Sequence, residues 1–183
     1  APDAYFYQND ADKGQALGSM SFDEEGKTSF AKGILLSDGI DGMTAMEDVK
    51  GILITSTEDG SLYAIRVLDP SDATLITETD ISFADLAYDA TNDVLYGIDA
   101  NYGEVYTVDY LEGTIADTDY SGDEYVALAA HDGVLYGLKY DKDTKETTLY
   151  KLENNTEELL SSFHTDIPVC MEWKDGLVFL TQN

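Results

Sequence analysis

Apolar and polar positions alternate in short runs along this chain, most clearly from Asp85 to Asp109, DLAYDATNDVLYGIDANYGEVYTVD. A period of two over several residues is the signal of a half-buried β-strand. The stretch predicts three strands, at Leu86 to Tyr88, Val94 to Ile98 and Val105 to Val108. Asp89 to Asn92 and Asn101 to Gly103 separate them, and Asp, Asn and Gly tolerate the backbone angles of tight hairpins.

The same unit recurs, in three complete copies and two partial ones. With the strands of each copy labelled A to D, strand B starts at Ile52, Val94, Val134 and Leu177, at spacings of 42, 40 and 43 residues. The A strands are expected at Thr44 to Glu47, Asp85 to Asp89, Val126 to Ala130 and Val169 to Trp173. The D strands are expected at Ala73 to Thr79, Thr114 to Asp119 and Leu159 to His164. Residues 4–42 supply B, C and D without an A, and residues 168–183 supply A and B only. The complete copies run over 43–80, 81–124 and 125–167. Asn155 to Ser161 carries a mild helix signal, but its register suits strand D.

Short strands in fours at a period near forty predict an all-β fold, a β-propeller of four-stranded antiparallel blades with about four repeats in one domain, 1–183. A lone blade leaves both faces apolar, so neighbours must stack around an axis. The terminal strands suit a closed four-bladed ring whose last blade they share. Because 17 strands are expected where such a ring needs 16, a segment of a larger propeller is the other reading.

Composition narrows the function. Hydrophobic residues make up 43% of the 183, enough for a core, and thirteen Tyr against three Pro suit pleated surfaces. No run reaches the roughly 20 apolar residues of a membrane-spanning helix. Against 37 Asp+Glu stand 10 Lys+Arg, a net charge of −27 with Arg66 the single arginine. Nucleic-acid binding needs clustered Lys and Arg on phosphates and is not expected, nor is adsorption to anionic lipid. The acidity suits a secreted or cell-surface protein kept soluble by self-repulsion, a calcium binder, or a protein with a basic partner. Cys170 stands alone between Val169 and Met171, so it reads as a small buried hydrophobe.

The phrases GSLYAIRVLD at Gly60, VLYGIDANYGEVYTVD at Val94 and GVLYGLKYDKDTKETTLYKLE at Gly133 resemble blades of quinoprotein-like and YVTN-like β-propellers. They are similar, too, to propeller repeats of bacterial secreted and surface proteins. The resemblance spans nearly the whole chain and implies fold, not chemistry. Quinoprotein-type blades dock a tryptophan late in each repeat. Here the single tryptophan, Trp173, lies in an A strand, so no quinone cofactor is implied.

Three constellations are candidates for chemistry. Loops from each D strand to the next A strand carry acids: Asp38 and Asp41, Asp80, Asp123 with Glu124, and Asp166. In a propeller these loops surround one mouth of the axis. Asp41, Asp80, Asp123 and Asp166 are therefore candidate oxygen ligands for Ca²⁺, the alternative being turn capping. Hairpin tips at Asp10, Asp99 and Asp141 share D-x-[DN]-x, which opens like a calcium loop but lacks its closing glutamate, so turn formation is preferred. Tyr96 with Tyr136, and Tyr63 with Tyr106 and Tyr150, repeat at fixed blade positions and predict inter-blade packing. Tyr102, Tyr120 and Tyr125 fall at loops or loop ends, where an exposed ring suits stacking on a sugar or anchoring a protein ligand. His131 and His164 lie in different parts of the repeat without a Ser or Cys partner at nucleophile spacing, and no G-x-S-x-G occurs.

The sequence thus predicts a non-enzymatic extracellular or cell-surface propeller that binds protein or carbohydrate. The rival readings are a subunit that self-associates through blade edges and a metal-dependent enzyme working at the channel mouth.

Overall fold

A computed structural model of the chain describes residues 3–10, 14–35, 40, 42–120 and 124–183. All of its regular structure is antiparallel β-sheet. The chain opens with a three-stranded sheet, β1 (Ala4–Asp10), β2 (Gly14–Phe22) and β3 (Thr28–Leu35). Three four-stranded blades follow. The first contains β4 (Met43–Val49), β5 (Ile52–Thr57), β6 (Ser61–Arg66) and β7 (Asp69–Glu78). The second contains β8 (Phe83–Asp89), β9 (Val94–Asp99), β10 (Val105–Val108) and β11 (Ile115–Asp117). The third contains β12 (Tyr125–His131), β13 (Val134–Asp141), β14 (Glu146–Glu153) and β15 (Thr156–His164). The chain ends in a two-stranded sheet, β16 (Ile167–Trp173) and β17 (Leu177–Gln182). The strands amount to about four blades of a β-propeller, as the repeat predicts, and the helix-like stretch at Asn155 lies in β15 and the turn before it.

Each sheet covers its neighbour's apolar face, which is why the repeat needs to stack. Leu17 of the first sheet packs with Leu53 and Ile65 of the next, and Leu62 packs with Phe83 and Leu86. Ile98 and Val105 pack with Leu128 and Leu135, and Ala127 and Leu138 with Met171. The repeated tyrosines sit at these seams as expected: Tyr63, Tyr96, Tyr106, Tyr136 and Tyr150 are all half-buried against a core cluster.

The inner strands β4, β8, β12 and β16 share one irregularity. Pairing with the second strand of each sheet skips Thr44, Ala84, Val126 and Val169, so every inner strand carries a β-bulge at the same place. A bulge kinks its strand and re-aims the side chains on either side. Four in register give the axis its shape.

The terminal strands are described as two separate sheets. Among the described residues β16 and β17 pair only with each other, and β1, β2 and β3 pair only among themselves. An ion pair spans the seam instead, Lys174 Nζ to Asp3 Oδ1 at 2.9 Å, while Asp3 Oδ2 accepts from the Phe22 amide at 2.7 Å.

Candidate functional site

The bulged segments open onto two cavities that share Thr44, Ala84 and Val169 as walls. One, of about 640 Å³, lies at the mouth formed by the β9–β10 turn and the start of β12. The other, of about 540 Å³, lies at the seam between β1, β4 and β16. Both volumes fall within the roughly 300–1,000 Å³ of small-molecule sites.

Tyr102 stands at the mouth, 71% exposed. Its turn is built by Asp99, whose Oδ1 accepts from the amides of Asn101 at 2.6 Å and Tyr102 at 2.9 Å. Gly103 follows with φ +68°, and its carbonyl accepts from the Tyr125 amide at 3.1 Å. A Cβ there would meet the Tyr125 carbonyl at 2.6 Å, so the tip needs glycine both for its backbone angle and for its closeness to β12. Asp141 likewise accepts from the amides of Asp143 and Thr144. The D-x-[DN]-x tips at Asp99 and Asp141 are therefore turn formers. The tip after Asp10 lies outside the described residues.

Tyr125 is not the exposed ring that its place at a loop end suggests. It is 2% exposed, its ring meets Tyr150 edge-on at 6.4 Å, its hydroxyl bonds Glu157, and Lys139 Nζ sits 4.9 Å from its ring centre. The register explains this. Tyr125 holds the place in β12 that Phe83 holds in β8, each one residue before the bulge. Gly137 and Gly97 make room for the two rings: a Cβ on either would come within 2.7 Å of Tyr125 or 2.5 Å of Phe83. Tyr120 is half-buried against the cluster containing Tyr125 and Leu128, and burial pushes its phenol up. Of the three candidate tyrosines, Tyr102 alone presents a mostly free ring.

Of the four candidate calcium ligands, Asp41 and Asp123 lie outside the described residues. Asp80 and Asp166 are exposed on separate loops. Among the described residues no three His, Cys, Asp or Glu side chains gather as a metal-binding group.

The seam cavity holds acids that the loop-based reading overlooks. Asp85, on β8, is 4% exposed. Its Oδ2 accepts from the amides of Leu128 at 3.0 Å and Met171 at 3.2 Å, and its Oδ1 from Leu86 at 3.0 Å. One carboxyl thus ties the inner strands of three sheets together. Burial pushes its pKa well above the usual range, and the three backbone donors only partly offset that.

Glu47 of β4 and Glu172 of β16 lie on the same cavity and are hydrogen-bonded to each other. Burial first, then the neighbouring charge of Glu172, pushes Glu47 well up; Glu172 is raised less, by partial burial that the bond from Glu47 offsets, and it keeps an exposed side. Glu47 Oε2 is sealed from solvent and accepts from no N–H or hydroxyl among the described residues. The nearby Cys170 thiol is pushed up to about 11, by burial and then by the charges of Asp85 and Glu172.

A sequence signal for these acids existed in the repeat. In register, the inner strands read Ala45, Asp85, Ala127 and Cys170 at one position, and Glu47, Ala87, Ala129 and Glu172 two residues on. Acid where sibling copies carry alanine marks a position that packing alone does not require.

The fold is shared with solved structures of low sequence identity. A chain of a nidogen/laminin complex aligns with a TM-score of 0.65 and 10% identity, over 97% of this chain and 69% of that one. A Bacteroides thetaiotaomicron protein of unknown function aligns with a TM-score of 0.65 and 14% identity, over 96% of this chain and 56% of its own. Virginiamycin B lyase from Staphylococcus aureus aligns with a TM-score of 0.52 and 11% identity, over 94% of this chain and 61% of its own. No protein-family model and no curated protein sequence matches the chain. These likenesses agree with the blade phrases in fold: the chain is a β-propeller.

Proposed function

We propose that this propeller is a non-enzymatic binding module that receives a protein or carbohydrate ligand at the mouth occupied by Tyr102. The observation that carries the reading is a mostly free aromatic ring, on a turn held by Asp99, over an open cavity of about 640 Å³. An aromatic platform beside polar groups suits stacking on a sugar ring or anchoring an apolar side chain, and a rigid blade presents it without ordering cost. The absence of enzymatic activity belongs to the same proposal. The cysteine nucleophile the chain offers, Cys170, keeps its proton at neutral pH, and His131 is engaged face to face with Trp173 at 4.0 Å. A net charge of −27 supports an extracellular or cell-surface setting, where self-repulsion keeps a protein dispersed.

The test is a glycan array and a displayed peptide library, each probed with the wild type and with Tyr102→Ala. Binders retained by the wild type should lose at least about tenfold in affinity with the variant, the loss of one anchoring aromatic. Binders indifferent to Tyr102→Ala, or none on either array, would sink the reading.

A second reading has its own observation. Among the described residues β17 pairs only with β16, and its Val178 and Leu180 are 50% and 62% exposed. An open apolar edge of this kind suits self-association. Light scattering that stays at the monomer mass across concentration would remove it.

A further inference from the structure

We propose that the free edge of β17 takes up an extended strand of a partner protein, apolar at alternate residues with lysines between them. The site is separate from the Tyr102 mouth and does not depend on a ligand binding there.

The complete blades show what the terminal sheet lacks. In each of them the second strand carries a third along its outer edge, β6 on β5, β10 on β9 and β14 on β13, always antiparallel. Among the described residues β17 holds the second place in its sheet and pairs only with β16. An open sheet edge is a template for strand addition, in which backbone bonds supply affinity and flanking side chains supply specificity. The outer edges of the complete blades are blunted against it. β7 carries Asp69, Asp72 and Glu78, β11 is three residues long, and β15 carries Glu157 and Glu158. β17 reads LVFLTQ, six residues with no charge and no proline. In a chain of net charge −27, this edge alone is left without a device against pairing among those four.

The surfaces beside the edge fix the chemistry of the incoming strand. Phe179 of β17 stacks on Phe163 of the third blade at 5.5 Å, so residues opposite Phe179 enter an apolar layer. Val178 and Leu180 pair with Glu172 and Cys170 and share the face that lines the seam cavity. Across the seam, Phe6, Met20 and Phe30 share one face of the first sheet, and Phe6 lines the same cavity. The two sheets thus turn apolar faces toward each other, yet Phe30 stays 69% exposed and Leu180 62%. Charge selects lysine for the residues that cover them. Glu172 is exposed beside Val178, and the turn after Phe22 carries exposed Asp23, Glu24 and Glu25 against one lysine, Lys27. A lysine stem covers apolar surface while its ammonium stays among acids and water. The same charge disfavours a second copy as the occupant, because two chains of −27 repel and β17 offers its twin no cation.

The experiment titrates the full chain into three labelled short peptides and follows fluorescence anisotropy. One alternates valine with lysine, one alternates valine with glutamate, and one is the lysine peptide with its central valines replaced by proline. Amide hydrogen exchange then reports protection along β17. The lysine peptide should bind at least about tenfold more tightly than the glutamate peptide, weaken as salt is added, and protect the β17 amides. The proline peptide should lose at least about tenfold, since it lacks the N–H groups that complete a ladder. Leu180→Lys, checked for fold by circular dichroism, should cut affinity for the lysine peptide at least about tenfold. Leu68→Lys, which adds the same charge at a residue 97% exposed in another blade, should leave it within about twofold. Failure of the lysine peptide to bind overturns the proposal, as does binding without protection of β17 or equal losses in the two variants. Light scattering at twice the monomer mass, with β17 protected before any peptide is added, gives the edge to a second copy and overturns it too.

Discussion

Asp85 and Glu47 are both carboxyl groups on inner strands, both raised by burial, and both walls of one cavity. They differ in what they touch. Asp85 accepts from three amides, one on its own β8, one on β12 of the next blade and one on β16 of the terminal sheet. Glu47 faces the seam, where among the described residues no strand pairing joins the terminal sheets, and it meets another acid there. One acid is thus a tie between sheets, and the other meets a second acid at the seam.

The largest expected effect is on the satisfied acid. Asp85→Ala strands the Leu128 and Met171 amides in the axis, and at about 1–3 kcal/mol per unsatisfied group the loss should reach roughly 3–5 kcal/mol. A urea midpoint lowered with an unchanged slope is the measurement. A loss under about 1 kcal/mol would mean that Asp85 does not hold the blades together.

Gly137→Ala tests the complete-blade side by overpacking. The added methyl would lie 2.7 Å from the Tyr125 ring, and such crowding typically costs about 1–3 kcal/mol. Gly26→Ala, where a Cβ meets nothing within 4 Å, is the control for a turn glycine that carries backbone strain alone, at φ +81°. Equal losses for the two would contradict a packing role for Gly137.

The seam acids should respond to pH with the opposite sign from ordinary carboxylates. Their folded pKa lies above the unfolded 4.5, so the folded state holds more protons in between. Their contribution is present below pH 4.5 and is lost as pH rises through the folded pKa. Glu47→Gln, which keeps the shape without the ionisation, should flatten that fall. It should raise stability near pH 8 by on the order of 1 kcal/mol relative to the wild type. Parallel melting-temperature profiles for the two proteins from pH 4 to 8 would count against the raised Glu47 carboxyl.

The smallest effect belongs to an acid at the surface. Asp93 Oδ1 accepts from the hydroxyls of Tyr88 at 2.6 Å and Tyr110 at 2.8 Å, and Oδ2 pairs with Lys50 at 3.2 Å. These bonds hold Asp93 down at about 2 and push the Tyr88 phenol up to about 12. Asp93→Asn should bring Tyr88 back toward 10, read by ultraviolet titration, with little change in stability because the cluster is exposed. An unmoved phenol would remove Asp93 as the cause.

Much of this fold was legible in the chain because the strand period and turn chemistry repeat at one spacing. The B strands at Ile52, Val94, Val134 and Leu177 begin where their spacing places them, and Asp99 and Asp141 cap their own turns. Tyr125 was misread because a bulge is invisible in a hydropathy pattern: it shifts the register by one and draws an apparent loop residue into β12. The joining of the terminal strands stayed open between a shared last blade and a segment of a larger propeller. Period and count say how many strands exist, but not which edges meet across a seam. The seam acids were hidden for a further reason. Alternation marks them as strand residues, and only comparison of Glu47 and Glu172 with Ala87 and Ala129 in the bulged register sets them apart.

The most direct test of the contrast is a carbon-13 NMR titration of side-chain carboxyls in protein labelled at aspartate and glutamate. Two glutamate resonances should titrate above 4.5, that of Glu47 the further, and one of them should disappear from that range in Glu47→Gln. Glutamates that all titrate in the ordinary range, or two raised curves that persist in Glu47→Gln, would contradict the account.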